Sequence, residues 1–295
     1  MTAAATCGSS FSCTVDGHTE VYAILGCPVG HSLSPIMQNA AFAAAGINAI
    51  YVPFPVQEGN LAHAVMGLRA LAIRGCNVTI PHKEKIAAYL DCLTPEAEAI
   101  GAVNTISQVG ERLEGHNTDA IGFLHSLKYD LGFSPGKKRI VVLGAGGAAR
   151  ACVYALAHAK AAHICIANRN IGRARSLCRD FSKIFPATTL VAHELDIASQ
   201  EQIWFQADLI VNTTSIGLSS NEEGPVPWGN INSKTFFYDV VYRCGSTAMV
   251  KCARKHGLQA ADGLGMLIAQ GEQAFRIWTD MDPGNSMRSA IEGFP

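Results

Sequence analysis

Short apolar runs alternate with longer stretches of helical periodicity from Val21 almost to the carboxyl end of the chain. That alternation predicts an α/β fold, with mainly parallel strands wrapped by helices. The first strand is VYAILG (21–26), and the helix after it has Ser34 as expected N-cap, Pro35 as first helical residue and Gly46 as stop. AIYVPFPV is a second strand and residues 60–73 a helix. A third strand, GCNVTI, runs into Pro81, which ends the ladder because it has no N–H, and HKEKIAAYL resumes with helical spacing. LTPEAEAIGAVNTI predicts a short helix capped at Thr94 and Pro95, then a strand interrupted by Asn104. EGHNTDAIGFLHSL opens a long helix with Thr118 as cap and Asp119 in the first turn.

Lys83 falls at the carboxyl end of the third strand. In open α/β sheets that edge is where ligands bind, so Lys83 is a candidate functional residue, whereas Lys85 reads as a solvated helix residue. Asp119 is either a functional partner of Lys83 or a simple helix-start acid.

A second block begins near Lys137, where KKRIVVLGAGGAARACVYALAHA joins an apolar strand to a helix through a glycine turn. Gly144, Gly146 and Ala149 form G-x-G-x-x-A between strand and helix, the setting a dinucleotide fingerprint requires; the bland reading is a tight turn without a ligand. The next strand, HICIAN, ends at NRNIGRAR, with Arg169 and Arg173 and no acid before Asp180. An acid at that strand end suits the ribose of NAD, whereas two arginines on one helix face suit a 2′-phosphate unless both are merely solvated. DLIVNTTSIGL and TFFYDVVY are further strands; Thr213, Thr214 and Ser215 suit the nicotinamide end of a cofactor or an ordinary loop. In ADGLGMLIAQGEQAFRIWTD a glycine hinge precedes a helix whose Gln270 is a core amide or a substrate contact.

The chain has 295 residues, enough for two domains, and a formal charge of -1 that offers no basic excess for nucleic acid. No apolar run reaches the roughly 18 residues of a membrane span, and the first dozen residues read as a frayed tail without signal-peptide character, so a cytoplasmic chain with a small-molecule partner is expected. The 10 cysteines show no C-x-x-C and sit mostly in apolar runs, as reduced core thiols; the 10 histidines show no H-E-x-x-H, and no metal site is expected.

HSLSP, NVTIPHKE, GAVNT, NTDAIGF, LGAGGAAR, NRN, NTTSIG, YDVVY and DGLGMLIAQ occur in that order. Through them the chain resembles the shikimate dehydrogenase family, including its quinate/shikimate branch, from Val21 to about Asp280. The resemblance implies two α/β domains: a substrate-binding domain over 14–119 and 263–295, behind a flexible tail at 1–13, and a Rossmann-like NADP domain over 120–262. It implies Lys83 and Asp119 as the catalytic pair, Lys83 as general acid in reduction and base in oxidation, as NADPH reduces the ketone of 3-dehydroshikimate to shikimate. It places the substrate carboxylate on Ser32, Ser34 and Tyr242, and the ring hydroxyls on Thr79, Asn104, Asp119 and Gln270. For NADP it implies Gly144, Ala145, Gly146, Gly147 and Ala148 at the turn, Asn168, Arg169 and Arg173 at the ribose, Thr213, Thr214 and Ser215 around the nicotinamide, and Gly263 as a further cofactor contact.

The chain departs from the family pattern at three places. Asn170 stands where threonine is usual, so phosphate selectivity rests on the arginines; Cys244 stands where proline is usual; and His82, between Pro81 and Lys83, reads as a solvated ring rather than a proton relay. The rival readings are a quinate/shikimate or aminoshikimate dehydrogenase using NAD or NADP, and a noncatalytic metabolite sensor on the same fold. A monomer or homodimer is consistent with either.

Overall fold

A computed structural model describes residues 14–195, 201–218, 222–243 and 245–292. The tail at 1–13 and Cys244 lie outside the described residues.

The described residues form two six-stranded sheets. In the first, β1 (Glu20–Gly26) lies between β2 (Ala49–Pro55) and β3 (Gly75–Val78), parallel to both. β4 (Cys92–Leu93), β5 (Thr105–Val109) and β6 (Arg112–His116) complete the order β2-β1-β3-β5-β6-β4. β5 runs antiparallel to both β3 and β6, so this sheet is mixed, a departure from the parallel expectation. β5 and β6 are joined across Gly110, where φ is +61°, and such a tight hairpin permits only antiparallel pairing.

Successive residues of β1 feed opposite faces, Ala23 and Leu25 into one core and Tyr22 and Ile24 into the other. Burial on both faces explains its unbroken apolar run. α2 (Leu61–Ala70) contributes Leu61, Val65 and Leu68 to the first core. The second core holds Met37 and Phe42 of α1 (Ser34–Ala44) together with Phe275 and Met287 from near the carboxyl end, with Phe42 and Phe275 rings 5.4 Å apart. Each such buried side chain contributes roughly 1.5–3 kcal/mol, which draws the last helices back onto the first sheet.

Between the sheets stand α3 (Pro95–Ile100), capped as expected by Thr94, and α4 (Asp119–Asp130). The second sheet comprises β7 (Arg139–Leu143), β8 (His163–Asn168), β9 (Thr189–Glu194), β10 (Leu209–Asn212), β11 (Phe236–Asp239) and β12 (Gln259–Ala261). All its pairs are parallel, in the order β12-β11-β10-β7-β8-β9, which reverses direction between β7 and β10. That switch point opens a crevice at the carboxyl ends of the strands. Its helices are α5 (Gly147–His158), α6 (Ile171–Ile184), α7 (Glu201–Phe205) and α8 (Ala248–Lys255); α9 (Leu264–Thr279) and α10 (Ser286–Ile291) then return to the first sheet.

α4 and α9 pack closely because Gly122 has no side chain: a Cβ there would lie 2.9 Å from Gln270 Cβ and from the Met266 carbonyl. The start of α4 is thereby set beside Gln270. Cys76, Cys152, Cys165, Cys178 and Cys252 are buried free thiols, as expected; the described Cys27 and Cys92 are partly buried.

Candidate active site

The segment carrying Lys83 is not the helix its spacing suggested. β3 ends at Val78, turns follow, and only Ile86–Tyr89 is helical, as one 3₁₀ turn. The turn is fastened from inside by His82, which is completely buried rather than solvated, with its Nε2 donating to the Val56 carbonyl at 2.7 Å. Its ring is locked to the backbone just past the end of β2 and does not line the cavity, which also excludes the relay. The Val103 N–H donates to the Lys83 carbonyl at 2.8 Å, tying the lysine backbone to the approach of β5. Lys85 is exposed as expected but precedes the helical turn and pairs with Glu58 at 2.5 Å.

The start of α4 leaves the Asp119 side chain free of capping. Thr118 occupies the N-cap position without a side-chain cap bond; Asn117 Oδ1 instead accepts from the N–H groups of Asp119 and Ala120, at 3.1 and 3.3 Å. Asp119 Oδ2 accepts from Lys83 Nζ at 2.5 Å, and Oδ1 accepts from Asn104 Nδ2 at 2.9 Å. The Asn104 amide has only one orientation that fits. Its Oδ1 accepts from the Thr118 N–H at 2.7 Å, so its Nδ2 faces Asp119, Thr118 Oγ1 and Gln270 Oε1. Both oxygens of Asp119 thus act as acceptors, the arrangement of an ionised carboxylate against an ammonium.

Gln270 is a core amide and a cleft-lining group at once, its Nε2 donating to the Leu267 carbonyl at 2.8 Å. Ser34 is the first residue of α1 rather than its cap; Leu33 holds the cap position, and Ser32 Oγ accepts from the Ser34 N–H at 3.2 Å. Ser32, Ser34, Thr79 and Tyr242 line the same cavity, of about 420 Å³, as Lys83, Asn104 and Asp119. Burial raises the Tyr242 phenol, opposed by hydrogen bonding with the Leu33 backbone and the Ser32 side chain, so these residues meet at one end of the cavity.

The glycine turn lies against the lysine. Gly144 has φ of +108° and passes so close to β10 that a Cβ would stand 2.5 Å from Thr213 Oγ1, and at Gly147 a Cβ would stand 2.9 Å from Lys83 Cβ. Gly146, Gly147, Ala148, Thr213, Thr214, Ser215 and Gly263 all line the cavity, whereas Gly144, Ala145, Asn168 and Arg169 do not. At Gly146 an added Cβ would meet nothing nearer than Glu84 Oε1 at 3.9 Å and Arg173 Nη2 at 4.0 Å. The turn therefore presents open backbone, and the first N–H groups of α5 have no intrahelical acceptors, which fits a dinucleotide phosphate.

The two arginines do not share a helix face. α6 begins at Ile171, capped by Asn170 Oδ1 accepting from Gly172 N at 3.0 Å, so Arg169 lies ahead of the helix and only Arg173 lies on it. Asn170 thus does the capping that threonine would do. Arg173 reaches across to Glu84, 2.6 Å away, and Asp180 is held by Arg150 at 3.2 Å. Sequence reasoning missed Glu84, Asn117 and the buried Asn77, whose Oδ1 accepts from Tyr51 at 2.7 Å. The polar residues inside GCNVTI and EGHNTD were the available signal. Among the described residues no group of acidic, histidine or cysteine side chains could hold a metal, and no helix is long and apolar enough to cross a membrane.

Fold and cleft together define a nicotinamide-dependent oxidoreductase of the α/β class. Family models match a shikimate dehydrogenase substrate binding domain at residues 24–106, shikimate/quinate 5-dehydrogenase at 130–216 and a shikimate 5′-dehydrogenase C-terminal domain at 263–290. The chain belongs to the shikimate dehydrogenase family. A relative from Geobacter metallireducens named shikimate dehydrogenase (NADP(+)) is 48% identical, over 91% of this chain and 94% of its own length. The crystal structure of shikimate 5-dehydrogenase from Listeria monocytogenes, in complex with shikimate and NAD, superposes with a TM-score of 0.84 at 32% identity, covering 95% of this chain and 98% of that one. The ligand-free 5-ketofructose reductase of a Gluconobacter strain superposes with a TM-score of 0.80 at 34% identity, covering 95% and 100%.

Proposed function

We propose that the protein is a shikimate dehydrogenase that interconverts 3-dehydroshikimate and shikimate with NADP as cofactor, serving chorismate and aromatic amino acid biosynthesis. The observation that carries this reading is the Lys83–Asp119 pair, closed at 2.5 Å and placed directly against the Gly146–Gly147 turn. A noncatalytic sensor needs no acid–base pair at that position. The substrate-binding unit is read as 14–119 with 263–295 and the NADP-binding unit as 120–262, in a cytoplasmic monomer or homodimer that binds no nucleic acid.

Ser32, Ser34 and Tyr242 hold the substrate carboxylate at one end of the cavity. Thr79, Asn104, Asp119 and Gln270 take the ring hydroxyls, with the Asn104 amide already turned by Thr118. The backbone of Gly146 to Ala148 and the start of α5 hold the cofactor pyrophosphate, Arg173 and Arg169 the 2′-phosphate, and Thr213 to Ser215 with Gly263 the nicotinamide end. The bound nicotinamide supplies or accepts the hydride. Lys83 Nζ gives a proton to the substrate oxygen in reduction and takes it back in oxidation, while Asp119 keeps the amine directed at that oxygen. The side chains of Lys83 and Asp119 are only 16% and 5% exposed, so water competes poorly for either.

The test is initial-rate oxidation of shikimate and of quinate, each with NADP and with NAD, alongside reduction of 5-ketofructose with NADPH. Turnover of shikimate with NADP well above the other pairs is expected. Comparable rates on quinate or with NAD would move the chain to the quinate/shikimate branch; preference for 5-ketofructose would replace the substrate, and no turnover with any of them would leave the sensor.

A further inference from the structure

Asp239, at the end of β11, is completely buried and its carboxylate is fully engaged. Asn212 Nδ2 and the Val241 N–H donate to Oδ1 at 2.8 and 3.1 Å, and Thr247 Oγ1 donates to Oδ2 at 2.7 Å. Asn212, at the end of β10, is equally buried. Its Oδ1 accepts from the N–H and the hydroxyl of Thr214, at 3.1 and 2.7 Å, and its Nδ2 also reaches the Ile216 carbonyl at 3.3 Å. Two loops leave neighbouring strands here. The one at 213–217 carries Thr213, Thr214 and Ser215 to the cofactor side of the cavity; the one at 240–243 carries Tyr242 to the Ser32 end.

We propose that Asp239 is a positioning residue for the reaction. Its carboxylate, acting through Asn212 on one side and the Val241 N–H on the other, holds the nicotinamide loop and the substrate-carboxylate loop in one register. The separation between bound cofactor and bound substrate is then set by a buried acid that touches neither. A carboxylate suits the task because it accepts all three donors with no proton of its own to place. These bonds offset part of the cost of burying the acid, and losing any one of them leaves a buried polar group without its partner. The proposal rests on the dehydrogenase reading for its kinetic consequence.

The test compares Asp239→Ala and Asp239→Asn with the wild-type protein. Loss of the charge-assisted bonds in Asp239→Ala is expected to raise the KM values for shikimate and NADP together and to weaken NADP binding by calorimetry, each by about tenfold. Asp239→Asn keeps an acceptor for Asn212 and Val241, so it should recover a large part of that loss. A purely structural role would instead lower the melting temperature and the active fraction while leaving both KM values unchanged. If Asp239→Ala does not fold, Thr247→Val removes the Oδ2 bond together with the α8 cap bond from the Val250 N–H at 3.2 Å, and should raise both KM values by roughly two- to threefold, whereas Thr247→Ser, which keeps both bonds, should leave them near wild type. Unchanged KM values and NADP affinity in a folded Asp239→Ala or Thr247→Val protein overturn the proposal. Because calorimetry needs no turnover, it decides the positioning role even if the wild-type protein proves inactive on shikimate.

Discussion

Lys83 and Asp119 lie 36 positions apart in sequence and meet inside a cleft in which the other carboxylate oxygen accepts from Asn104. Removing the amine in Lys83→Ala takes away the proposed proton carrier, and kcat should fall by roughly 10²–10⁴-fold while the KM for shikimate changes little. Steady-state kinetics check this directly: a large rise in KM with kcat intact would make Lys83 a binding residue. The same residues show where local reading fails. Thr118 is a good cap by composition, yet Asn117 caps α4 and the Thr118 hydroxyl is drawn into the Asn104 network. Which of two adjacent polar side chains turns inward depends on the acceptor waiting there, and that acceptor belongs to another segment.

At the scale of elements, the ends of β10 and β11 tie a buried acid, through Asn212, to the loop at 213–217. Burial pushes Asp239 from an ordinary 3.8 up to about 6, against the lowering effect of its bonds to Thr247, Asn212 and Val241. Asp262, which follows β12 and is itself raised by burial, adds a further upward push as the neighbouring negative charge. The folded chain therefore binds this proton more tightly than the unfolded chain. The cost of ionising Asp239, on the order of 3 kcal/mol, is fully present above pH 6 and disappears as pH falls toward 3.8. Asp239→Asn lacks that dependence. The melting temperature of the wild-type protein relative to Asp239→Asn should accordingly rise as pH is lowered from 7.5 to 5, and a constant difference would contradict the assignment.

Across the whole molecule, the Arg173–Glu84 pair bridges the turn that carries Lys83 and the first turn of α6, over the open backbone of Gly146. A cofactor phosphate reaching Arg173 must displace the Glu84 carboxylate. An exposed pair of this kind contributes up to about 1 kcal/mol, so Glu84→Gln should tighten NADP binding by roughly two- to fivefold and leave NAD binding unchanged. Arg173→Ala should weaken NADP by about tenfold with little effect on NAD. Titration of each variant with both cofactors checks the pair of outcomes; equal shifts for NAD and NADP would place Arg173 away from the 2′-phosphate.

The alternation of apolar runs and helical spacing by itself determined the α/β class, the strand edge that carries Lys83 and the glycine turn at Gly144 to Gly147. These follow from burial on two faces and from the backbone room that only glycine leaves, both of which act within a few residues. The short strands β4, β9 and β12 escaped notice because edge positions tolerate polar residues and show little apolar contrast, and the inner strand β6 because Leu113 is its single large apolar residue. Only the tertiary structure decided that β5 turns back on β6, that His82 is buried, that Arg173 rather than Arg169 stands on the helix, and that Asn104 meets Gln270 from 166 positions away. Such pairings depend on which segments the two cores bring together, and no period in the chain records that.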